Sequence, residues 1–311
     1  MGQAFGKITP WRSESLHTHQ TCPGGFGCGF GHLCEMTRTL SHRHSVLLET
    51  LNFDSERKMK PWLWRIVNFW QVVFFLLWSL IWQTLAFILR FVCFSQRVPL
   101  WMAHHIWAPA LLKITGSSIE VQGADKIDFS KPHFFIFNHQ STLDIALTLK
   151  VIPVPFHYIA KRSLLYVPVL GWYLWAVGTV LIDRGRTKKA IRTLKRAGEL
   201  IRNGKNIVAF PEGTRSSDGS ILPFKKGAFV VAIEAGVPII PVTIEGTHRV
   251  MPKNTFRIRP EPILVKFGDP ISTKELTYED REQLMNRVRD EIIELNLSLG
   301  GVGGEKQPPS S

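Results

Sequence analysis

Cysteine is scarce in this sequence. Only Cys22, Cys28, Cys34 and Cys93 occur, and three of the four fall in the first 60 residues. That excludes a disulfide-stapled scaffold and fits a reducing compartment. Beyond Cys93 there is no cysteine at all, so a thiol nucleophile is excluded from the last two thirds of the chain. Acidic residues are also few. Twenty-five Asp and Glu stand against 38 Lys and Arg, a formal charge of +13 over 311 residues. Such an excess draws a protein towards an anionic surface, either nucleic acid or acidic lipid. The tryptophans separate these two, because they crowd between Trp62 and Trp107, around the most apolar part of the chain. Trp with Lys and Arg beside a long apolar run is the pattern of a membrane interface, so a bilayer is the expected partner and nucleic acid is not.

Residues 1–60 keep no helix or strand period and are rich in Gly, His, Ser and Cys (TCPGGFGCGFGHLC). They are read as a disordered extension. Two sharper readings fit less well. A zinc site built from Cys22, Cys28, Cys34 and His17, His19 or His32 would need closer C-x2–4-C spacing. Myristoylation at Gly2 expects Ser or Thr where Gly6 stands. A third reading starts native translation at Met59, because an ordered-looking pattern begins abruptly there.

From Ile66 to Phe94 the chain is almost wholly apolar, interrupted by Asn68, Gln71, Ser79, Gln83, Thr84 and Arg90. About 20 apolar residues span a bilayer, so this run is long enough to cross one or to lie in one leaflet. Basic residues flank both ends, so the positive-inside rule does not choose between them. Residues 61–115 are therefore expected to form a membrane-associating helical segment.

The remaining pattern alternates short apolar runs with helical segments. IEVQG, HFFIFN, FHYIAK, TVLIDR, NIVAF, VPIIPVTIEG and ILVKFG read as strands. Thr187–Asn203, Phe224–Ala235 and Glu279–Leu297 read as helices. The expectation is an α/β domain over 116–298, a mostly buried mixed sheet flanked by helices, followed by a flexible tail over 299–311.

Two constellations carry chemistry. Asn138-His139-Gln140-Ser141-Thr142-Leu143-Asp144 follows the strand-like HFFIF. On one continuous helix His139 and Asp144 would point about 140° apart. They meet only if the His lies on the loop and the Asp in the first helical turn. Ser141 and Asp144 have the S/T-x-x-D spacing of a capping box, which would start the helix at Ser141. The plain reading makes Asp144 a cap; the functional one makes it the orienting partner of His139 as a proton acceptor. With Ser141 occupied by capping, His139 would deprotonate the hydroxyl of an acceptor substrate directly. The second constellation, Phe210-Pro211-Glu212-Gly213-Thr214-Arg215-Ser216, follows NIVAF. Pro and Gly force a turn at a strand end, the usual ligand position in an open α/β sheet. Arg215 suits a phosphate held by two parallel hydrogen bonds; an ordinary surface turn is the plain alternative.

With GTVLIDR at 178–184 and VPIIPV at 237–242, these blocks in order resemble the glycerolipid acyltransferase family, and within it the 1-acylglycerol-3-phosphate acyltransferases. The resemblance covers about residues 62–270 and carries implications for particular positions. His139 would be the catalytic base and Asp144 its orienting partner. Glu212, Gly213, Thr214 and Arg215 would hold the glycerol phosphate, with Arg184 assisting. Lys161 would contribute a phosphate contact, although Ser163 stands where many members have Glu. It further implies lysophosphatidic acid as acceptor and acyl-CoA or acyl carrier protein as co-substrate. No cofactor or metal is expected, and the catalytic domain would lie on the cytoplasmic membrane face. An acyltransferase for another lysolipid, or a non-enzymatic membrane-binding protein retaining the fold, are the rivals. Lys188, Lys189, Arg192, Lys195 and Arg196 would form a basic helix, solvated or facing lipid headgroups.

Overall fold

The computed structural model describes residues 60–182 and 197–305. The possible metal ligands near the N-terminus, Met59, Arg184, the basic run at 188–196 and the last six residues lie outside the described residues. The chain divides into units of residues 1–67 and 68–311. Of the first unit the described residues include only the opening turns of the helix α1 (Pro61–Val92).

Within the second unit the polar interruptions of the apolar run are its docking points. Asn68 Nδ2 donates to the Ile258 carbonyl at 2.8 Å, and Gln71 Nε2 to the Ile114 carbonyl at 2.9 Å. Ser79 Oγ accepts from the Trp107 indole at 3.2 Å. Phe74, Phe75 and Trp78 pack against the core, while Phe69, Trp70, Leu76, Leu77, Leu80 and Ile81 stay exposed. The helix is long and apolar enough to cross a membrane. A row of exposed Phe, Trp, Leu and Ile on such a helix suits a lipid surface rather than water.

Two short helices, α2 (Arg97–Met102) and α3 (Ala108–Lys113), joined by a π-helical turn, lead into the sheet. Its strands are β1 (Ile119–Gln122), β2 (Phe134–Phe137), β3 (Phe156–Lys161), β4 (Val180–Ile182), β5 (Asn206–Ala209), β6 (Ile239–Glu245) and β7 (Ile263–Phe267). They lie in the order β1-β7-β6-β2-β5-β3-β4. β4, β3, β5, β2 and β6 run parallel; β7 is antiparallel to β6, and β1 is parallel to β7. Each of the seven apolar runs became one strand of this mixed sheet.

Alternation along the strands divides the core between two faces. Phe135, Phe137, Val208, Ile240 and Val242 face one cluster, shared with α3 and α4 (Leu143–Val151). Phe134, Ile136, Ile207, Ala209 and Ile239 face the other, covered by residues 197–202, α6 (Gly227–Ala235) and α8 (Arg281–Ser298). α5 (Leu170–Ala176) lies between β3 and β4 in sequence, and α7 (Thr247–Val250) directly follows β6. Because these five adjoining strands are parallel, the segments leaving β2, β5, β3 and β6 all emerge at one edge of the sheet. That edge carries both chemical constellations.

Candidate active site

β2 is fully buried, and Asn138 ends it by imitating one more step of the ladder. Its side chain donates to the Ile244 carbonyl at 2.9 Å and accepts from the Ile244 amide at 2.7 Å. The chain is thus held to β6 while its backbone turns out of the sheet. His139 comes next, on the loop. Asp144 stands in the first turn of α4, and its Oδ2 accepts from His139 Nδ1 at 2.7 Å.

The helix begins two residues later than its capping-box spacing implied. α4 starts at Leu143, and the position before it, Thr142, makes no side-chain cap. The carboxylate explains the shift. Asp144 Oδ2 also accepts from the amides of Gln140 and Ser141, at 2.7 and 2.8 Å, so residues 139–141 wrap around it as a loop. Ser141 Oγ gives its proton to the Met251 carbonyl and accepts from the Leu143 amide at 3.3 Å. The half of the capping box in which the Asp144 carboxylate holds the Ser141 amide is thus present, while the Asp144 amide turns to the Ser141 carbonyl. Asp144 is wholly buried, a costly place for a carboxylate lacking partners. Here it has four donors, because Thr247 Oγ1 adds a bond to Oδ1 at 2.6 Å. With the Nδ1 proton directed at an acceptor-only carboxylate, His139 Nε2 is left as the proton acceptor. The imidazole side chain keeps 17% of its surface open and stacks on Phe210, ring centroids 4.3 Å apart.

The turn after β5 is fastened to the same loop by backbone. The His139 amide donates to Glu212 Oε1 at 3.0 Å, and the His139 carbonyl accepts from the Ser216 amide at 2.8 Å. Gly213 closes the turn with φ 68°, its amide bonded to the Phe210 carbonyl. Thr214 is exposed on it. Arg215 Nη1 donates to Thr142 Oγ1 at 2.7 Å, and its carbonyl is held by Lys253 Nζ at 2.8 Å. Among the described residues no carboxylate pairs with Arg215. The geometry therefore brings His139, Asp144, Gly213, Thr214 and Arg215 onto neighbouring loops.

Glu212 sits differently from its neighbours in the turn. It is 2% exposed, beneath the turn, where it holds the His139 backbone. Burial pushes its carboxyl well above the usual range, and the Asp144 charge adds to the rise; the His139 and Leu222 amides oppose it. Lys161 is exposed at the end of β3, beside β5 in the sheet.

Three residues of the site had no role assigned from the sequence, Phe210 and Asn138 although they open the two constellations and Thr247 because it lies outside both. Phe210 stacks on the imidazole, Asn138 ties the loop to β6, and Thr247 reaches Asp144 from more than 100 residues away. Only the topology, which brings the end of β6 beside the end of β2, would have exposed Thr247.

An imidazole oriented by a buried carboxylate, open on one ring nitrogen and flanked by an arginine turn, can take a proton from a hydroxyl beside an anionic group. The comparisons with known proteins agree. The acyltransferase family profile matches residues 118–245. The 1-acyl-sn-glycerol-3-phosphate acyltransferase of Saccharomyces cerevisiae is 34% identical over 209 residues, 66% of this chain and 69% of that protein. The human 1-acyl-sn-glycerol-3-phosphate acyltransferase alpha is 36% identical over 192 residues, 61% of this chain and 68% of that protein. In the solved structures, the 1-acyl-sn-glycerophosphate (LPA) acyltransferase of Thermotoga maritima superposes with a TM-score of 0.65 at 25% identity. It covers 79% of this chain and 100% of its own. The chain belongs to the acyltransferase family that these enzymes share.

Proposed function

We propose that the chain transfers a fatty acyl group to the free sn-2 hydroxyl of 1-acyl-glycerol-3-phosphate, making phosphatidic acid, with acyl-CoA or acyl carrier protein as donor. The observation that carries this reading is the fastening of the Arg215 turn to the His139 loop. It supports a phosphate position next to a general base, as an acceptor that is both alcohol and phosphate monoester requires.

In the proposed reaction His139 Nε2 takes the proton of the acceptor hydroxyl as its oxygen attacks the thioester carbonyl. A new C–O bond forms, the C–S bond breaks, and the departing thiolate takes the proton back. Asp144 stabilises the imidazolium between these steps. General-base help of this kind contributes about 10²–10⁴-fold. The backbone at Gly213, the Thr214 hydroxyl and the Arg215 guanidinium hold the acceptor's phosphate, with Lys161 supplying charge from the end of β3 and Arg184 assisting. Glu212 acts from below, by holding the His139 backbone. The proposed chemistry uses no cofactor or metal.

The lysolipid stays in the bilayer to which α1 attaches, and the water-soluble donor arrives from the cytoplasmic side. The +13 charge favours anionic lipid and phosphorylated donor alike. The test is to offer purified protein a panel of lysolipids with each donor and weigh the products. Phosphatidic acid should dominate. A protein that acylates a larger-headgroup lysolipid while leaving lysophosphatidate untouched would overturn the acceptor assignment.

A further inference from the structure

The turn that leaves β6 supplies more contacts to the catalytic loop than a connection needs. Gly246 has φ 98°, and a Cβ there would lie 2.2 Å from the Pro262 carbonyl oxygen, so only glycine fits. This conformation folds the next residue back towards β2. Thr247 is wholly buried, and its hydroxyl donates to Asp144 Oδ1 at 2.6 Å, the oxygen that His139 does not use. One residue on, His248 Nδ1 meets Gln140 Oε1 at 3.0 Å, while Gln140 Nε2 donates to Glu245 Oε2 at 3.1 Å. Arg249 Nη1 extends this chain by donating to Glu245 Oε1 at 2.6 Å.

We infer that Thr247 is a positioning residue for the dyad, a third member that fixes the plane and charge distribution of Asp144 so that the imidazole points Nε2 at the acceptor hydroxyl. The inference rests on the reaction proposed above. Asp144 is anchored through Oδ2 by two amides and the imidazole, and those three bonds meet at one oxygen. A carboxylate held at one oxygen keeps some freedom to rock about its Cβ–Cγ bond. The Thr247 bond removes it by holding the second oxygen. It also lies on the far side of the carboxylate from the imidazole and places a donor dipole on the group that stabilises the imidazolium. An aliphatic residue of the same shape would pack as well and hold nothing.

Valine and serine at this position separate the two properties of threonine. Thr247→Val keeps the volume and loses the donor; Thr247→Ser loses a methyl and keeps it. Removing a hydrogen bond to a charged group costs about a tenfold factor or more in the step that depends on it. In full-length protein with lysophosphatidate and acyl-CoA, Thr247→Val should lower kcat about tenfold or more, with each KM moving less than about twofold. Thr247→Ser should stay within about threefold of the parent. The same valine change in an Asp144→Asn background should add little, because residues acting as one unit are not additive. Equal losses for valine and serine, or a full valine loss on top of Asp144→Asn, would overturn the positioning role and leave Thr247 as packing. A parent protein that acylates no lysophosphatidate with either acyl-CoA or acyl carrier protein would sink the reaction itself, a separate result.

Discussion

Replacing Glu212 by glutamine removes an ionisable carboxyl from beneath the site while keeping an oxygen for the His139 amide. Because burial raises this carboxyl well above its ordinary value of 4.5, the folded chain binds its proton more tightly than the unfolded chain. The stability this group lends is therefore full below about pH 4.5 and falls as pH climbs through the window above it. Each tenfold difference in proton affinity corresponds to about 1.4 kcal/mol. In a domain of this size about 1 kcal/mol moves the melting temperature by about 2–4 °C. Glutamine has no proton to lose there. The melting temperature of Glu212→Gln, measured against the parent, should rise by about 2–4 °C or more between pH 4.5 and pH 8. Taking the change in this gap cancels the constant cost of burying an amide. Acyl transfer should survive within about threefold, since the His139 amide keeps its acceptor. Glu212→Ala should lose stability at every pH, because an orphaned buried amide costs about 1–3 kcal/mol. Thermal unfolding in detergent across pH, with kinetics on the same preparations, reads both. A gap that stays flat with pH, together with a tenfold higher KM for the acceptor, would refute the reasoning and put Glu212 in contact with substrate.

Three further outcomes follow from the same geometry. Arg215→Ala should raise KM for the lysolipid acceptor about ten- to a hundredfold with kcat within a few-fold, and Arg215→Lys should recover only part of it; initial-rate kinetics with varied acceptor decide. Burial and the neighbouring His105 hold His104 down to about 4, so below its ordinary 6.5 the unfolded chain takes a proton that the folded chain refuses. Stability is lost as pH falls through that interval, and His104→Phe should flatten the melting curve between pH 6.5 and 4. Gly246→Ala should cost about 1–3 kcal/mol from strained backbone alone, and lower kcat as well, because Thr247 is displaced; urea unfolding and turnover read the two effects.

The sequence made the strands legible because each is a short apolar run bounded by turn residues, and the parallel centre is buried on both faces. Their spatial order was not legible. Nothing in HFFIF marks it as the strand between NIVAF and VPIIPV, yet that adjacency builds the site. For His139 and Asp144 the spacing allowed a pair, since a loop-then-helix geometry lets residues five apart meet, but it left a plain helix cap equally open, and the family resemblance chose the pair. The S/T-x-x-D pattern rightly tied the Asp144 carboxylate to the Ser141 amide, but it does not reveal that the same carboxylate also holds an imidazole and a second amide, and the regular helix begins only at Leu143. Glu212 looked like a ligand for the same reason: a motif gives residue types at a turn but not which side chain faces inward. Thr247 and Asn138 act across long loops, and such contacts leave no local pattern. Arg184 remains an expectation from resemblance, outside the described residues.

The central claim is that an imidazole held by Asp144 takes a proton from a lipid alcohol. Its most direct test is the turnover of His139→Ala on lysophosphatidate, in protein shown by thermal unfolding and vesicle binding to be folded and membrane-bound. Turnover should fall at least about a hundredfold, with binding of the acceptor largely kept. Turnover within a few-fold of the parent would contradict the claim.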